Sequence, residues 1–416
     1  MNKNDLTKDQ NSALATLWDW YHSKQRSPYI ILGGLAGTGK TTIISMFRNM
    51  LPKDLSVAFV AYTGKAASVL KSKLAVQSKN ALYQDFCGTI HSMMYEPITD
   101  ENNSVIDWRK IAKQNFDLII IDECSMVTKD IFEDILSYEI PVICVGDHGQ
   151  LPPIESNGFN LMNNPDIKLE TIHRFGENSE LLKVSMMARL EGKIRYGDYG
   201  NQVFKVTVRD SRIKDFLKSC DTFDTSMVLC GFNKTRIKMN AKIRAMLQRV
   251  DNDPIVGDRV VCLKNNKNSH GCPIYNGMTG TIETLRSFKN CHDVKIKMDG
   301  EDTCYKGVIS KNAFMREKYD GTEEFIYRKD LEMFRKIKSI GDYYGINNAV
   351  KEKNTKVFLD TFDYSYCMTV HKSQGSEYKK VLLIEEGKHI WDKDGMWNRW
   401  LYTAVTRAKE QLMIIS

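Results

Sequence analysis

No stretch of the 416 residues approaches the roughly 20 consecutive apolar positions needed to cross a bilayer as a helix. The opening MNKNDLTKDQ is polar and lacks the apolar segment of a signal peptide. These two absences predict a cytosolic protein with no membrane partner. Ten cysteines stand singly at 87, 124, 144, 220, 230, 262, 272, 291, 304 and 367, and no C-x-x-C occurs. That spacing argues against zinc and iron–sulfur frameworks and leaves reduced thiols, several of them in apolar runs such as VICVGD. No carboxylate cluster of nuclease type stands out. Charge is nearly balanced, with 59 basic against 52 acidic residues and a net +7. The balance permits a polyanion partner without demanding one.

What is present is an ordinary globular composition, 42% hydrophobic and 27% charged, in a chain too long for one core. Residues 29–51, YIILGGLAGTGKTTIISMFRNML, carry the strongest signal. Tyr29–Leu32 reads as a strand, and Thr42–Leu51 as a helix stopped by Pro52. Between them, Gly34 to Thr41 fits G-x-x-x-x-G-K-[ST] at every fixed position. Such a loop turns backbone N–H groups toward a polyphosphate, and the following helix adds its positive dipole end. Gly37, Thr38, Gly39 and Thr42 form the cradle, Lys40 reaches the β- and γ-phosphates, and the Thr41 hydroxyl holds Mg²⁺. The chain is predicted to bind a nucleoside triphosphate.

Two more apolar runs end in polar chemistry. Leu118–Ile121 leads to Asp122 and Glu123, and Pro141–Val145 to Gly146-Asp147-His148-Gly149-Gln150. Continuous apolar runs suit strands buried on both faces, and ligand groups in open α/β sheets gather at strand carboxyl ends. Asp122 is then placed for the Mg²⁺ ion, Glu123 for the attacking water, and Gln150 for the γ-phosphate. With Val57–Tyr62, these strands predict a doubly wound ATPase core over residues 1–170.

The remaining residues repeat the pattern. Tyr366–Val370 precedes HKSQGSE, Val381–Ile384 reads as a strand, and LYTAVTRA precedes the apolar Gln411–Ile415. A second α/β core is expected over 171–256 and 356–416. Arg407, and Arg174 in LETIHR, are candidates to reach the triphosphate of the first core and stabilise charge on the transferred phosphoryl.

The ordered set LTKDQ, GGLAGTGKTT, AYTGKAASVL, GTIHSMM, IIIDECSM, VGDHGQLPPI, LETIHR, YNGMTGTI, TVHKSQGSEY and LYTAVTRA resembles superfamily 1B DNA helicases of the RecD- and Dda-like type. The likeness spans residues 6–408, and the short length is nearer the Dda-like members. It implies a 5′→3′ helicase with two RecA-like parallel-sheet cores and an inserted SH3-like β-barrel, driven by ATP and Mg²⁺. It implies that Gln10 recognises adenine, that Gln374 and Glu377 line the opposite wall of the cleft, and that Arg174 and Arg407 are fingers. Thr63, Lys65, Thr89, His91, Thr369 and His371 would face single-stranded DNA, with duplex–single-strand junctions as substrate. A monomer in a bacterial or phage-infected cell is expected, with a single-strand-binding protein as a further partner. Two positions depart from the pattern. Tyr62 stands where proline is frequent, and Gly64 where Dda-like members carry histidine.

Two insertions remain. Residues 93–115 are open to two readings, a surface loop or a β-hairpin pin wedging the duplex with Tyr95, Pro97 or Trp108. Residues 257–355 hold strand-like pieces at Arg259–Leu263, Gly280–Leu285 and Val294–Met298, with a turn at Asn276-Gly277. Within them, 311–355 matches no motif and is open to a solvated helical face, to packing on the barrel or to contact with the nucleic acid. Alternatives to the motor stay open on residues alone: a triphosphate switch or loading ATPase that does not translocate, or an RNA-directed relative.

Overall fold

The computed structural model describes residues 6–77, 85–99, 105–153, 159–171, 179–220, 223–251, 253–266, 274–301, 303–317, 324–336, 356–392 and 395–416. They form two compact units. One comprises Met1–Tyr95, Lys110–Arg236 and Cys367–Ser416, the other Glu96–Arg109 and Ile237–Tyr366.

The first unit begins with helix α1 (Lys8–His22), opened by a capping box in which the Thr7 and Gln10 side chains bond each other's backbone N–H. Strand β1 (Tyr29–Gly34) runs through the phosphate loop into α2 (Lys40–Met50). Then follow β2 (Val57–Ala61), α3 (Gly64–Gln77), β3 (Phe86–Thr89) and the short α4 (Ile90–Met94). Strands β4 (Tyr95–Thr99) and β5 (Val105–Lys110) form a two-stranded ribbon within the 93–115 insertion. The core resumes with β6 (Leu118–Asp122), α5 (Lys129–Leu136), β7 (Val142–Gly146) and β8 (Ile167–Leu169).

Six of these strands make one parallel sheet in the order β3-β2-β6-β7-β1-β8. The continuous apolar runs are explained by its two covered faces. Ile30, Leu32, Val57, Phe59, Leu118, Ile120, Ile143 and Val145 feed one core, shared with Leu14, Leu17 and Phe47. Their immediate neighbours Ile31, Ala58, Val60, Ile119, Ile121, Val142 and Cys144 feed the other, with Ile90, Phe132 and Ile135. Alternation along each strand sends side chains to opposite faces, so both must be apolar. The carboxyl ends of β1, β6 and β7 consequently share one edge.

The second core starts with α6 (Glu180–Glu191), β9 (Gly197–Tyr199), β10 (Val203–Val206), α7 (Arg212–Lys218), β11 (Ser226–Cys230) and α8 (Asn233–Met246). The other unit takes up the chain within α8, at Ile237, and continues with β12 (Arg259–Cys262), β13 (Thr279–Phe288), β14 (Cys291–Met298), β15 (Cys304–Ser310), β16 (Phe325–Tyr327), α9 (Arg328–Lys336), β17 (Lys356–Phe358) and β18 (Phe362–Tyr364). The chain returns as β19 (Cys367–Thr369), β20 (Tyr378–Ile384), α10 (Lys388–Trp391), α11 (Met396–Val405) and β21 (Ala408–Ile415). The second core's sheet has the order β19-β11-β20-β21-β10-β9, parallel except for the edge strand β9.

In the other unit, β15-β14-β13-β12-β18 form an antiparallel sheet around Val260, Ile282, Ile296, Tyr305 and Phe362. The expected return to the second core at 356 comes later, at Cys367, because β18 pairs with β12 and β17 with β16. Within 311–355, α9 exposes Arg328, Lys329, Glu332 and Arg335 on one face and packs with the other. Leu331 and Phe334, three residues apart, pack with Val308, and Phe334 stacks on Phe288 at 4.5 Å. Residues 337–355 lie outside the described residues. No described helix is long and apolar enough to cross a membrane, and all nine described cysteines are free thiols.

Candidate nucleotide site and nucleic-acid face

The phosphate loop is tight. Gly37 and Gly39 take φ of +85° and +84°, a region that costs other residues strain. The buried Thr38 hydroxyl donates to Leu35 O at 2.9 Å. Lys40 Nζ donates to Gly34 O at 2.8 Å and Leu35 O at 3.0 Å, so its ammonium already lies in the cradle. Thr41 and Thr42 follow in the first turn of α2. Gln10 is buried beside them, its Nε2 donating to Thr38 O at 3.1 Å while its Oε1 caps α1. Its neighbour Asp9 accepts from the backbone N–H groups of Glu170 and Thr171 at 3.2 and 3.1 Å. Burial alone would raise Asp9, but these bonds and one from Thr7 outweigh it and lower its pKa to about 2.

Asp122 ends β6, and Glu123 adopts φ +53° immediately after it. A left-handed non-glycine residue stores strain, and such positions cluster at functional sites. Burial pushes both carboxyls up; the Asp122 charge pushes Glu123 further, while Lys40 pulls each of them down. Arg407 also acts on Glu123. Glu123 Oε2 is buried with no hydrogen-bond partner, as is Gln150 Oε1. A raised carboxylate with a lone pair to spare can take a proton from water.

The second core supplies the facing groups within the same unit. Arg407 is buried, and its guanidinium bonds Thr403 O at 2.9 Å, Ser376 O at 3.0 Å and Thr406 Oγ1 at 3.1 Å. Gln374 Nε2 donates to Leu151 O at 3.0 Å, directly after Gln150. Glu377 stands nearer the surface, paired with Lys409 at 3.2 Å. Arg174 lies outside the described residues. Sequence reasoning missed two members of this constellation, Asp147 and Tyr402. Both sit inside motifs singled out above, VGDHGQ and LYTAVTRA, but their contact joins residues 255 positions apart.

For a divalent cation, Thr41 and Asp122 offer a hydroxyl and a carboxylate, hard oxygen donors that suit Mg²⁺. Among the described residues, no group of three or more His, Cys, Asp and Glu could hold a metal alone. An ion here therefore needs phosphate oxygens and water to complete its shell.

The residues expected to face a nucleic acid follow strand carboxyl ends. Thr63 and Lys65 follow β2, Thr89 ends β3 with His91 behind it, and Thr369 ends β19 with His371 behind it. The Thr63 and Thr89 hydroxyls accept from Ala66 N and Ser92 N, so both cap helices. The Lys65 ammonium lies 4.9 Å from the Tyr378 ring centre. Burial lowers the His371 pKa to about 4 and keeps its imidazole neutral. In the ribbon, the Tyr95 hydroxyl donates to Asp134 at 2.8 Å, while the side chains of Pro97 and Trp108 lie outside the described ones.

The profile of the AAA domain matches residues 5–214, and that of the UvrD-like helicase C-terminal domain matches 364–415. The chain is 27% identical to the ATP-dependent DNA helicase dda of Enterobacteria phage T4, covering 100% of both. It is 32% identical to the uncharacterized protein R530 of Acanthamoeba polyphaga mimivirus over 98% of each. Against RecD of the RecBCD enzyme from Buchnera aphidicola it is 26% identical, over 93% of this chain and 69% of that one. The crystal structure of Pif1 helicase from Bacteroides with ADP-AlF3 and ssDNA superposes with a TM-score of 0.55 at 19% identity, over 98% of this chain and 92% of the other.

Proposed function

This chain belongs to the RecD/Dda/Pif1-like helicases of superfamily 1B and is an ATP-dependent DNA helicase; from that premise we propose how its residues divide the work. ATP binds the phosphate loop between the two cores, with Lys40 on its phosphates and Gln10 at the adenine. Thr41 and Asp122 would hold Mg²⁺, which would supply positive charge against that developing on the phosphates. Glu123 takes the proton of the attacking water, Gln150 senses the γ-phosphate, and Arg407 stabilises the transferred phosphoryl. Arg174 is assigned a second finger by resemblance, and Glu377 a place near the ribose. The observation that carries this reading is the pair of buried, unpartnered acceptors, Glu123 Oε2 and Gln150 Oε1. A buried acceptor without a donor costs stability, about 1–3 kcal/mol, and is retained where a ligand or water supplies the missing bond.

Single-stranded DNA runs over Thr63, Lys65, Thr89, His91, Thr369 and His371. The dda and RecD likenesses favour 5′→3′ movement toward a junction. Bacteroides Pif1 binds ssDNA, and the same partner is proposed here. The β4–β5 ribbon is the pin, the β12–β15 and β18 sheet is the SH3-like barrel, and the motor works as a monomer. A single-strand-binding protein would present its track. Closure of the cores on ATP changes strand affinity only through contacts that differ between the open and closed states.

Steady-state ATP hydrolysis with and without matched DNA and RNA oligonucleotides tests this. The expected result is strong stimulation by single-stranded DNA and loss of hydrolysis in Lys40→Ala. Equal rates with and without DNA contradict the strand path, and turnover by Lys40→Ala contradicts the site. Unwinding of duplexes with 5′ or 3′ tails reads the polarity.

A further inference from the structure

Tyr402 belongs to α11 of the second core, yet its fully buried hydroxyl joins two turns of the first. It accepts from the Ala36 N–H of the phosphate loop at 3.0 Å and donates to Asp147 Oδ2 at 2.9 Å. Asp147 in turn accepts from Gly149 N at 2.8 Å and from Gln150 Nε2 at 3.3 Å. The ring lies against Gly149, where a Cβ would come within 2.8 Å of its Cε1, so any other residue would displace it. Next door, Leu151 N donates to Thr403 Oγ1 at 3.1 Å, and the carbonyl of Thr403 accepts from Arg407 Nε. One chain of bonds therefore runs from a phosphate-loop N–H through Tyr402 and Asp147 to Gln150, and another from Leu151, the residue after Gln150, through Thr403 to Arg407. Burial and the Asp147 charge raise the phenol far above its ordinary pKa, which keeps it a donor.

We propose that Tyr402 is a positioning residue that couples the γ-phosphate sensor to the arginine finger. Its hydroxyl fixes Asp147, Asp147 fixes the Gln150 amide, and Ala36, inside the loop that cradles phosphate, gives its N–H to Tyr402 of the second core. A shift of Gln150 on phosphate loss is then felt at α11 and at Arg407. This rests on the roles proposed above for Gln150 and Arg407.

The test is Tyr402→Phe in the full chain, which keeps the ring and removes one oxygen. Asp147→Asn, the double variant and Lys40→Ala are measured beside it. With saturating single-stranded DNA, kcat is expected to fall roughly tenfold, the loss of about one hydrogen bond, while KM for ATP holds. ATP consumed per base pair unwound rises, the thermal midpoint falls by the few degrees that one unpaired Ala36 N–H costs, and the double variant is no worse than the worse single one. Wild-type kcat and wild-type ATP per base pair overturn the proposal. So does a fall in kcat at unchanged ATP per base pair with a lowered midpoint, which is a packing defect. A dead Lys40→Ala beside a wild-type-like Tyr402→Phe removes this inference alone, whereas hydrolysis by Lys40→Ala removes the nucleotide-site reading with it.

Discussion

Each core passes from a strand into a helix through a short turn, and the two turns are filled differently. After β1, the turn holds Lys40 against its own carbonyls, and two buried acceptors nearby lack partners. After β11, the N–H groups of Gly231 and Phe232 both donate to Glu386 Oε1 at 2.9 and 3.1 Å, and Thr235 donates to Oε2 at 2.8 Å. Both turns aim donors at an anion. The second core carries its anion in its own sequence, so that turn is finished, while the first is left for a ligand. Related sheets thus divide the labour: one carries the phosphate loop, and the other reaches across with Gln374 and Tyr402.

The comparison breaks most visibly at Glu123. Glu123→Gln keeps the shape and removes the carboxylate proposed as base, so kcat for ATP should fall roughly 10²- to 10⁴-fold in a DNA-stimulated assay, with nucleotide still bound. A loss under threefold would return the strained φ of Glu123 to a purely structural role. Glu386→Ala is the matching change in the finished turn. It leaves two backbone donors unpaired and should cost about 2 kcal/mol, read as a lower thermal midpoint, with hydrolysis per folded molecule retained. Lost hydrolysis at unchanged stability would mean that the second turn is also a ligand site.

The smallest effect is on pH. Burial lowers His371 and His292 to about 4 in the folded protein, whereas an unfolded histidine titrates near 6.5. Between about 6.5 and 4 the unfolded chain holds protons that the folded chain refuses, so stability falls as pH drops through that window. Buried Asp122 and Glu123 act with the opposite sign, because their folded pKa values are raised. His371→Gln isolates one histidine's share: its urea midpoint should change less between pH 7 and pH 5 than that of the wild type. An equal change would place His371 in contact with water.

The first core was readable because its chemistry is local. Phosphate loop, DE and GDHGQ each follow a strand whose two-sided burial requires an unbroken apolar run, as in Leu118–Ile121. The edge strands Phe86–Thr89 and Ile167–Leu169 were not readable, being short and covered by neighbours on one side only. β15 and β18 escaped for a related reason. Cys304–Ser310 mixes Lys306 and Gly307 with its buried residues, and Phe362–Tyr364 is three residues whose partner, β12, lies far upstream. Contacts that join the halves were invisible for the same cause. Tyr402 to Ala36 and Asp147, or Gln374 to Leu151, link positions that no local periodicity connects. Residue types marked where a ligand would go, and only folding reveals which side chains already occupy such places.

The decisive property of the molecule is whether the second core takes part in chemistry at the first. Single-turnover hydrolysis of ATP by Arg407→Ala, with single-stranded DNA present and ATP binding measured separately, tests this most directly. The prediction is near wild-type ATP affinity with hydrolysis slowed roughly 10³-fold or more, the range of an arginine finger. Hydrolysis at the wild-type rate would contradict it, leaving the first core sufficient by itself and Arg407 as a buried structural cation.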